Sequence, residues 1–373
     1  MKRVWSYVLS SVLLFTLVLS ACAAPQALAP APEKPSVVSP APTLPQLTRE
    51  QQLIEAAKKE GVVNYWTNTS RGMEEALKVF KERYPFLEVK IWDARGPEVA
   101  AKITEEAKVG RYSVDLISTA EKDFFPPSLW KEVIADYEWP NTRNWPFLRG
   151  HNYYRNFSGS VFGTSYNASL LSAAEAPKTW EELNSTTWRG KAVISVSSND
   201  VPLYFAYVWG EKSKLNWDKS FSFWREVIAN ARPRTVSGFT GSLEMHAAGE
   251  YPLFIMTSLP SAMDYMVRGA RLEVAPVSKV YVSHNVLSVI KNAPHPNAAR
   301  LFADFLTSTE GQFLYNNKKL NLSIDPEAAK RSRGNLEYAK RGIVIDEIPL
   351  EFIADEYFKK SNEFWLGLLG RAS

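Results

Sequence analysis

The side chains with chemistry to offer are few, and the first is a thiol. Cys22 is the only cysteine in 373 residues and closes Leu19-Ser20-Ala21-Cys22. Small residues before a cysteine fit a signal peptidase site, and the thiol then accepts a diacylglyceryl group. The mature chain is left without a disulfide or other thiol chemistry. The remaining candidates are hydroxyls, amides and a few charges that follow predicted strands. Thr67, Asn68, Thr69 and Ser70 form one group, Arg95 in Asp93-Ala94-Arg95-Gly96 a second, and Thr119 with Glu121 a third. Further on stand Ser197, Ser198 and Asn199, then Ser237-Gly238-Phe239-Thr240-Gly241-Ser242, then Thr257 and Ser258, and last His284. Such donors beside helix N-termini suit polar or anionic ligands, because the free N–H groups of a first turn carry partial positive charge. The same residues also serve as plain caps and turns. Arg forks match carboxylate or phosphate, and Glu121 is the main opposing charge. Trp66 and Trp92, at the ends of two predicted strands, offer rings for a stacked cation instead.

Catalytic patterns are absent. The chain holds no G-x-S-x-G, H-E-x-x-H, G-x-G-x-x-G or P-loop. His246 and Glu250 are four apart, but Gly249 and Pro252 argue against a helical metal pair. No catalytic residue, cofactor or metal is therefore expected.

What positions these residues begins with a leader. Lys2 and Arg3 precede the apolar run Val4–Val18, so residues 1–22 read as a lipoprotein signal peptide. Residues 23–47 are rich in Pro and Ala and read as a semi-stiff spacer. The length, with 45% hydrophobic residues, suffices for one large domain or two lobes. A formal net charge of +4 is too balanced to argue for nucleic acid. Asn-x-Ser/Thr triplets at Asn68, Asn156, Asn167, Asn184 and Asn321 read as chance beside a bacterial export signal.

Period and caps predict a helix over 48–60, a strand over 62–66, a helix over 71–84, a strand over 87–92, a helix over 98–108 and a strand over 114–118. Strand and helix thus alternate with short connections, which predicts a parallel sheet flanked by helices. Extended stretches are predicted over 161–166, 192–196, 253–256 and 281–290. Helices are predicted over 167–173, 179–183, 221–231, 243–248, 297–306, 310–316 and 350–369.

These segments also carry a resemblance. VVNYWTNTSRGMEEALKVFKERYPFLEVKIWDARGPEVAAKITEEAKVGRYSVDLIS resembles the opening of bacterial extracellular solute-binding proteins of the iron(III)-binding type. SYNASLLSAAEAPKTWEELNSTTWRGKAVIS is similar to that family's middle signature, and NAPHPNAARLFADFLTSTEGQ to its C-terminal one. The resemblance implies an α/β, two-lobed type 2 periplasmic binding protein with two crossover hinge strands, near 158–165 and 282–290. It places 48–159 and 287–373 in lobe 1 and 160–286 in lobe 2, with the ligand between them. It implies an ABC importer's receptor, periplasmic or on the cell surface, with a small-molecule ligand and permease subunits as partners, no nucleic acid, and a monomeric state. A ligand sensor on the same fold and a secreted hydrolase are the rival classes. The family's ferric ligands do not carry over: the tyrosine pair falls at Leu259-Pro260, the early histidine near Thr69 and the carboxylate near Ala120. Hydroxyls, amides, Arg95 and His284 then favour a small organic anion.

Replacing Cys22 by Ser is expected to move the chain from the membrane fraction to the soluble one. A variant that stays bound through a carbonate wash refutes the lipid anchor.

Overall fold

A computed structural model describes residues 47–68, 70–123, 132–146, 153–211, 214–277, 280–349 and 352–370. The leader with Cys22, the spacer as far as residue 46, and Thr69 lie outside these. Among the described residues no helix is long and apolar enough to cross a membrane.

The chain opens with α1 (Arg49–Glu60), β1 (Val62–Thr67), α2 (Glu74–Arg83), β2 (Glu88–Asp93), α3 (Gly96–Val109) and β3 (Leu116–Ala120). Thr48 and Gln51 form a reciprocal capping box at the start of α1, and Gly61 ends it in the left-handed conformation. β4 (Arg155–Asn167) precedes β5 (Ala192–Ser195), α4 (Val201–Val208), α5 (Trp217–Ala231), β6 (Arg234–Val236), α6 (Thr240–Ala248), β7 (Leu253–Ser258), α7 (Leu259–Val267) and β8 (Leu272–Val274). β9 (Val280–Val289) is followed by α8 (Pro296–Thr307), α9 (Thr309–Lys319), α10 (Pro326–Ala329), α11 (Arg333–Lys340), β10 (Ile345–Asp346) and α12 (Asp355–Leu369).

One sheet runs in the order β2-β1-β3-β9-β4-β7-β5-β6, with β10 added to β9 and β8 to β4. β1 is parallel to β2 and β3 at one end, and β5 is parallel to β6 and β7 at the other. Between them β4 and β9 pair antiparallel from Arg155↔Leu287 to Phe162↔Tyr281. Each serves twice: β9 also pairs with β3, and the far end of β4 pairs with β7. The two predicted extended stretches at 161–166 and 281–290 are these strands. Both are buried throughout, except for Ser160 of β4, which is partly exposed.

Aromatic packing fixes the helices on each end. Phe80 of α2 lies 4.7 Å from Phe302 and 5.2 Å from Phe305 of α8, and Tyr65 of β1 meets Phe302 edge-on. Buried Asp115 accepts the backbone N–H groups of Asn64 and His295, each at 2.7 Å, and so ties β1 and β3 to the start of α8. At the other end Trp224 of α5 sits edge-on between Phe205 of α4 and Trp365 of α12. Trp365 is fully buried and donates to Ser195 O at 3.3 Å. Deleting a ring so placed costs about 3–5 kcal/mol. The tail helix therefore packs on α4 and α5, whereas the sequence grouping placed all of 287–373 with the first lobe.

Local differences have local causes. α2 begins at Glu74 rather than Arg71, because Ser70–Met73 forms a turn with Gly72 at φ 83°. The helix expected over 167–173 is a turn, closed by Ser169 N–H donating to Asn167 Oδ1 at 2.9 Å. The helix expected at 179–183 shrinks to a 3₁₀ turn, Glu181–Asn184. α4 was not predicted: VPLYFAYV is apolar all round and gives no helical period.

His246 of α6 is fully buried. Its Nδ1 donates to Tyr251 O at 2.6 Å, which leaves Nε2 to accept from Ser165 Oγ at 3.1 Å. The ring thus joins α6 to β4, with both nitrogens engaged by the protein. Burial pushes it down to about 4. Its folded value lies below the unfolded one, so stability is full at neutral pH and falls as pH drops through the window from about 6.5 to about 4. Between pH 7.5 and pH 5 the wild type is expected to lose about 2 kcal/mol more than His246→Gln in urea titrations. Identical losses in both proteins would contradict this coupling.

Candidate functional site

The carboxyl ends of parallel strands are where an open α/β sheet presents polar groups to a crevice. Here β1, β2 and β3 end together, with Thr67 in register with Asp93 on one side and Ser118 on the other. The ends of β5, β6 and β7 face the same crevice. Two adjoining cavities, of about 950 Å³ and about 760 Å³, share Asn68, Asp93 and Ser160 in their walls. The larger is lined by Arg95, Gly96 and Asp123 from the first end of the sheet, by Ser197, Asn199 and Asp200 from the second, and by Ser283 and Asn285 of β9. Phe358, Asn362 and Leu366 of α12 complete it. The smaller is lined by Arg71, Glu74, Glu244, Ser258, Ser261, Asp264, Lys318 and Lys319, among others.

Of the residues singled out from the sequence, Asn68, Arg95, Ser197, Asn199, Thr240 and Ser258 line this cleft. Asn68 Oδ1 is buried with no hydrogen-bond partner. Arg95 stands on the rim, its side chain 84% exposed and paired with Glu98. Ser197 Oγ donates to Ser237 O at 3.0 Å, and Ser258 Oγ lies 3.1 Å from Ser261 Oγ. Several of the rest lie behind the wall. Thr67 is buried against Ser118 at 2.7 Å, and Ser198 donates to Met256 O at 3.0 Å. Thr119 and Thr257 are buried with unpartnered hydroxyls. Glu121 accepts from Tyr154 at 3.0 Å. Ser242 donates back to Gly238 O, and Gly241 sits in the first turn of α6 with open space where a Cβ would be. His284 is buried, with Nε2 3.2 Å from Glu347 Oε2 but not in hydrogen-bonding geometry.

Charge is distributed unevenly along the cleft. A Cβ on Gly96 would stand 2.5 Å from Asp123 Oδ2 and 2.7 Å from Thr119 Oγ1, so only glycine lets the start of α3 approach them this closely. The carboxylate at that N-terminus is thus the protein's own. Asp200, nearly fully buried, accepts from Tyr281 at 3.0 Å; burial and this carboxylate push the Tyr281 hydroxyl well up, so it remains a donor. Asp93, which accepts from Ser70, completes an acidic end. The other end mixes Arg71, Arg268, Lys318 and Lys319 with Glu74, Glu244 and Asp264. Trp66 and Trp92 meet at 5.0 Å, but Lys102 Nζ already lies 4.5 Å and 5.0 Å from their centroids, away from the cleft. Ser160, Asp200, Ser283, Asn285, Lys319 and the α12 residues were not found from the sequence. Their signal is positional, since they share no motif and meet only through the crossing strands and the returning tail.

An α/β fold crossed by two antiparallel strands, with a polar crevice at the strand ends of both halves, defines a solute-binding protein. The chain belongs to the bacterial extracellular solute-binding protein family, whose model matches residues 75–318. A Haemophilus influenzae protein described as uncharacterized is 29% identical over 175 residues, which cover 44% of this chain and about half (48%) of that relative's length. The periplasmic binding protein AfuA from Actinobacillus pleuropneumoniae, solved with fructose-6-phosphate, superposes with a TM-score of 0.68 at 19% identity, covering 83% of this chain and 99% of AfuA. Iron-bound HitA from Pseudomonas aeruginosa gives a TM-score of 0.65 at 14% identity over 82% and 99% of the two chains. The fold is that of the periplasmic binding proteins, and the family is one of extracellular solute-binding proteins.

Leu259 and Pro260 open α7 and are both buried. Among the described residues no three His, Cys, Asp or Glu side chains gather into a metal group. Ferric citrate added to the purified chain is expected to give no phenolate-to-iron absorption band and no thermal shift. A visible band would restore a ferric site.

Proposed function

We propose that this chain is the membrane-tethered, extracytoplasmic receptor of an ABC importer. It holds a small polar organic anion in the cleft and delivers it to permease subunits. The observation that carries this reading is the composition of the cleft wall, which draws on the strand ends of both halves of the sheet and on Ser160, Ser283 and Asn285 of the crossing strands themselves. A ligand touching all of these gains contacts when the halves close, and bending at β4 and β9 is the motion that brings them together. The anionic group belongs beside the cations of the smaller cavity, and the acidic end suits hydroxyl or ammonium donors elsewhere on the same ligand. Lipid at Cys22 and the spacer would hold the receptor at the membrane, and the folded part acts as a monomer.

The best ligand from a thermal-shift screen of sugar phosphates, phosphonates, organic acids, polyamines, thiamine and ferric salts is expected to reduce the radius of gyration in X-ray scattering. A tight ligand that leaves the radius unchanged argues against closure. Arg95→Ala, which removes only a rim charge already held by Glu98, is expected to change affinity less than about three-fold, consistent with the low worth of exposed pairs.

A further inference from the structure

The floor of the cleft selects the body of the ligand, a specification that rests on the receptor reading and deepens it. Successive cross-strand partners in the β4–β9 pair are Ser158 with Asn285, Ser160 with Ser283, and Phe162 with Tyr281. Alternate residues of a strand share a face, so these three pairs form one strip about 13 Å long. Two members are covered. Ser158 Oγ accepts from Asn321 at 2.9 Å, and Tyr281 gives its hydroxyl to Asp200 at 3.0 Å. Ser160, Ser283, Asn285 and Phe162 line the larger cavity, where Phe239 stands 5.6 Å from the Phe162 ring. Asn321 lines the smaller cavity beside them, and Asn68, shared by both cavities, adds a buried Oδ1 with no hydrogen-bond partner.

No side chain of this strip is charged. A full charge laid on it would lose its hydration without gaining a counter-charge there. An amide turned either way, like a serine hydroxyl, offers both a donor and an acceptor. A carboxylate or phosphate oxygen only accepts, and an ammonium only donates, so either leaves half of such a floor unmet. A ligand hydroxyl answers both through one atom. The orphan Asn68 Oδ1 likewise calls for a donor, which an anionic oxygen is not. Phe162 and Phe239 suit the C–H faces between hydroxyls. We propose that the floor binds a polyhydroxylated carbon chain or ring, which makes the transported anion a hydroxyl-rich acid or phosphate ester. Its charged group lies beyond the strip, where the charged side chains of the two cavities stand.

The test is calorimetric titration of the full chain with probes matched in carbon number and charged group. Gluconate is paired with hexanoate and glycerol 3-phosphate with propyl phosphate, and putrescine is the cationic control; the carboxylate and phosphate arms separate the two anion classes. In at least one pair the hydroxylated member is expected to bind about ten-fold tighter or more, since a site built for hydroxyls rejects the analogue lacking them. Asn285→Ala and Ser160→Ala are each expected to narrow that gap about three-fold to ten-fold, the loss of one hydrogen bond. Urea titration checks that each variant folds, and the partly exposed Ser160 carries the test if Asn285→Ala does not. Equal affinity within both pairs, a gap unchanged in the folded variants, or binding of putrescine alone overturns the assignment and leaves the receptor reading in place. If neither hydroxylated probe binds, the assignment also falls, and the receptor reading falls with it only when no screened ligand alters the scattering.

Discussion

The antiparallel pairing of β4 with β9 is the constraint on which the remaining structure depends. β4 gives residues 155–162 to β9 and residues 162–166 to β7, while β9 gives its last residues to β3. A strand pair used in this way must be covered on both faces, and nearly every residue in it is buried. Such burial requires close contact. Gly159 accommodates it, since a Cβ there would meet Val282 Cγ2 at 2.9 Å. The same pair carries polar residues into the centre of the molecule. Ser158 accepts from Asn321, and Ser160, Ser283 and Asn285 open onto the cleft. The floor of the candidate site is thus made by the residues that hold the sheet together.

Helix N-termini illustrate why residue type alone misplaces a site. The free N–H groups of a first turn attract anions, but much of that capacity is spent on the protein's own carboxylates. Glu60 accepts the backbone N–H groups of Asn297 and Ala298 at the start of α8, and Asp123 stands against the first residue of α3. Glu74 does the same for its own turn at α2. What remains for a ligand is set by which ends are already filled, a property of the tertiary arrangement.

The βα alternation over 48–120 was legible because α1 has a capping box, α1 and α3 stop at Gly61 and Gly110, and the strands between them are short apolar runs. β4 and β9 were visible as extended stretches, although their role as crossings came from family resemblance. α4 and α12's position were not legible. An all-apolar octapeptide has no period, and nothing local to Trp365 says that it docks on Trp224. At the site, strand-end residues such as Asn68 and Ser197 were readable from order along the chain. Thr67 and Thr257 show the limit of that logic, since side chains alternate along extended backbone and theirs turn inward, and Ser198 is turned inward by the bend after β5. Lys319 escaped notice as one basic residue in Asn317-Lys318-Lys319-Leu320, because only packing on Gly72 and Tyr315 separates it from Lys318.

Phe358, Asn362 and Leu366 give α12 a share in the cavity wall, and α12 comes last among the described helices. Asn199 also lines that cavity, and its side-chain amide donates to Asn362 Oδ1 at 2.7 Å. A chain that folds N-terminus first has every strand of the sheet in hand before residue 355 follows. At that moment it still lacks one side of its cavity. The wall is therefore complete only once α12 packs onto α4 and α5, after both crossing strands are in place. Until α12 docks, the cleft stands open along one side.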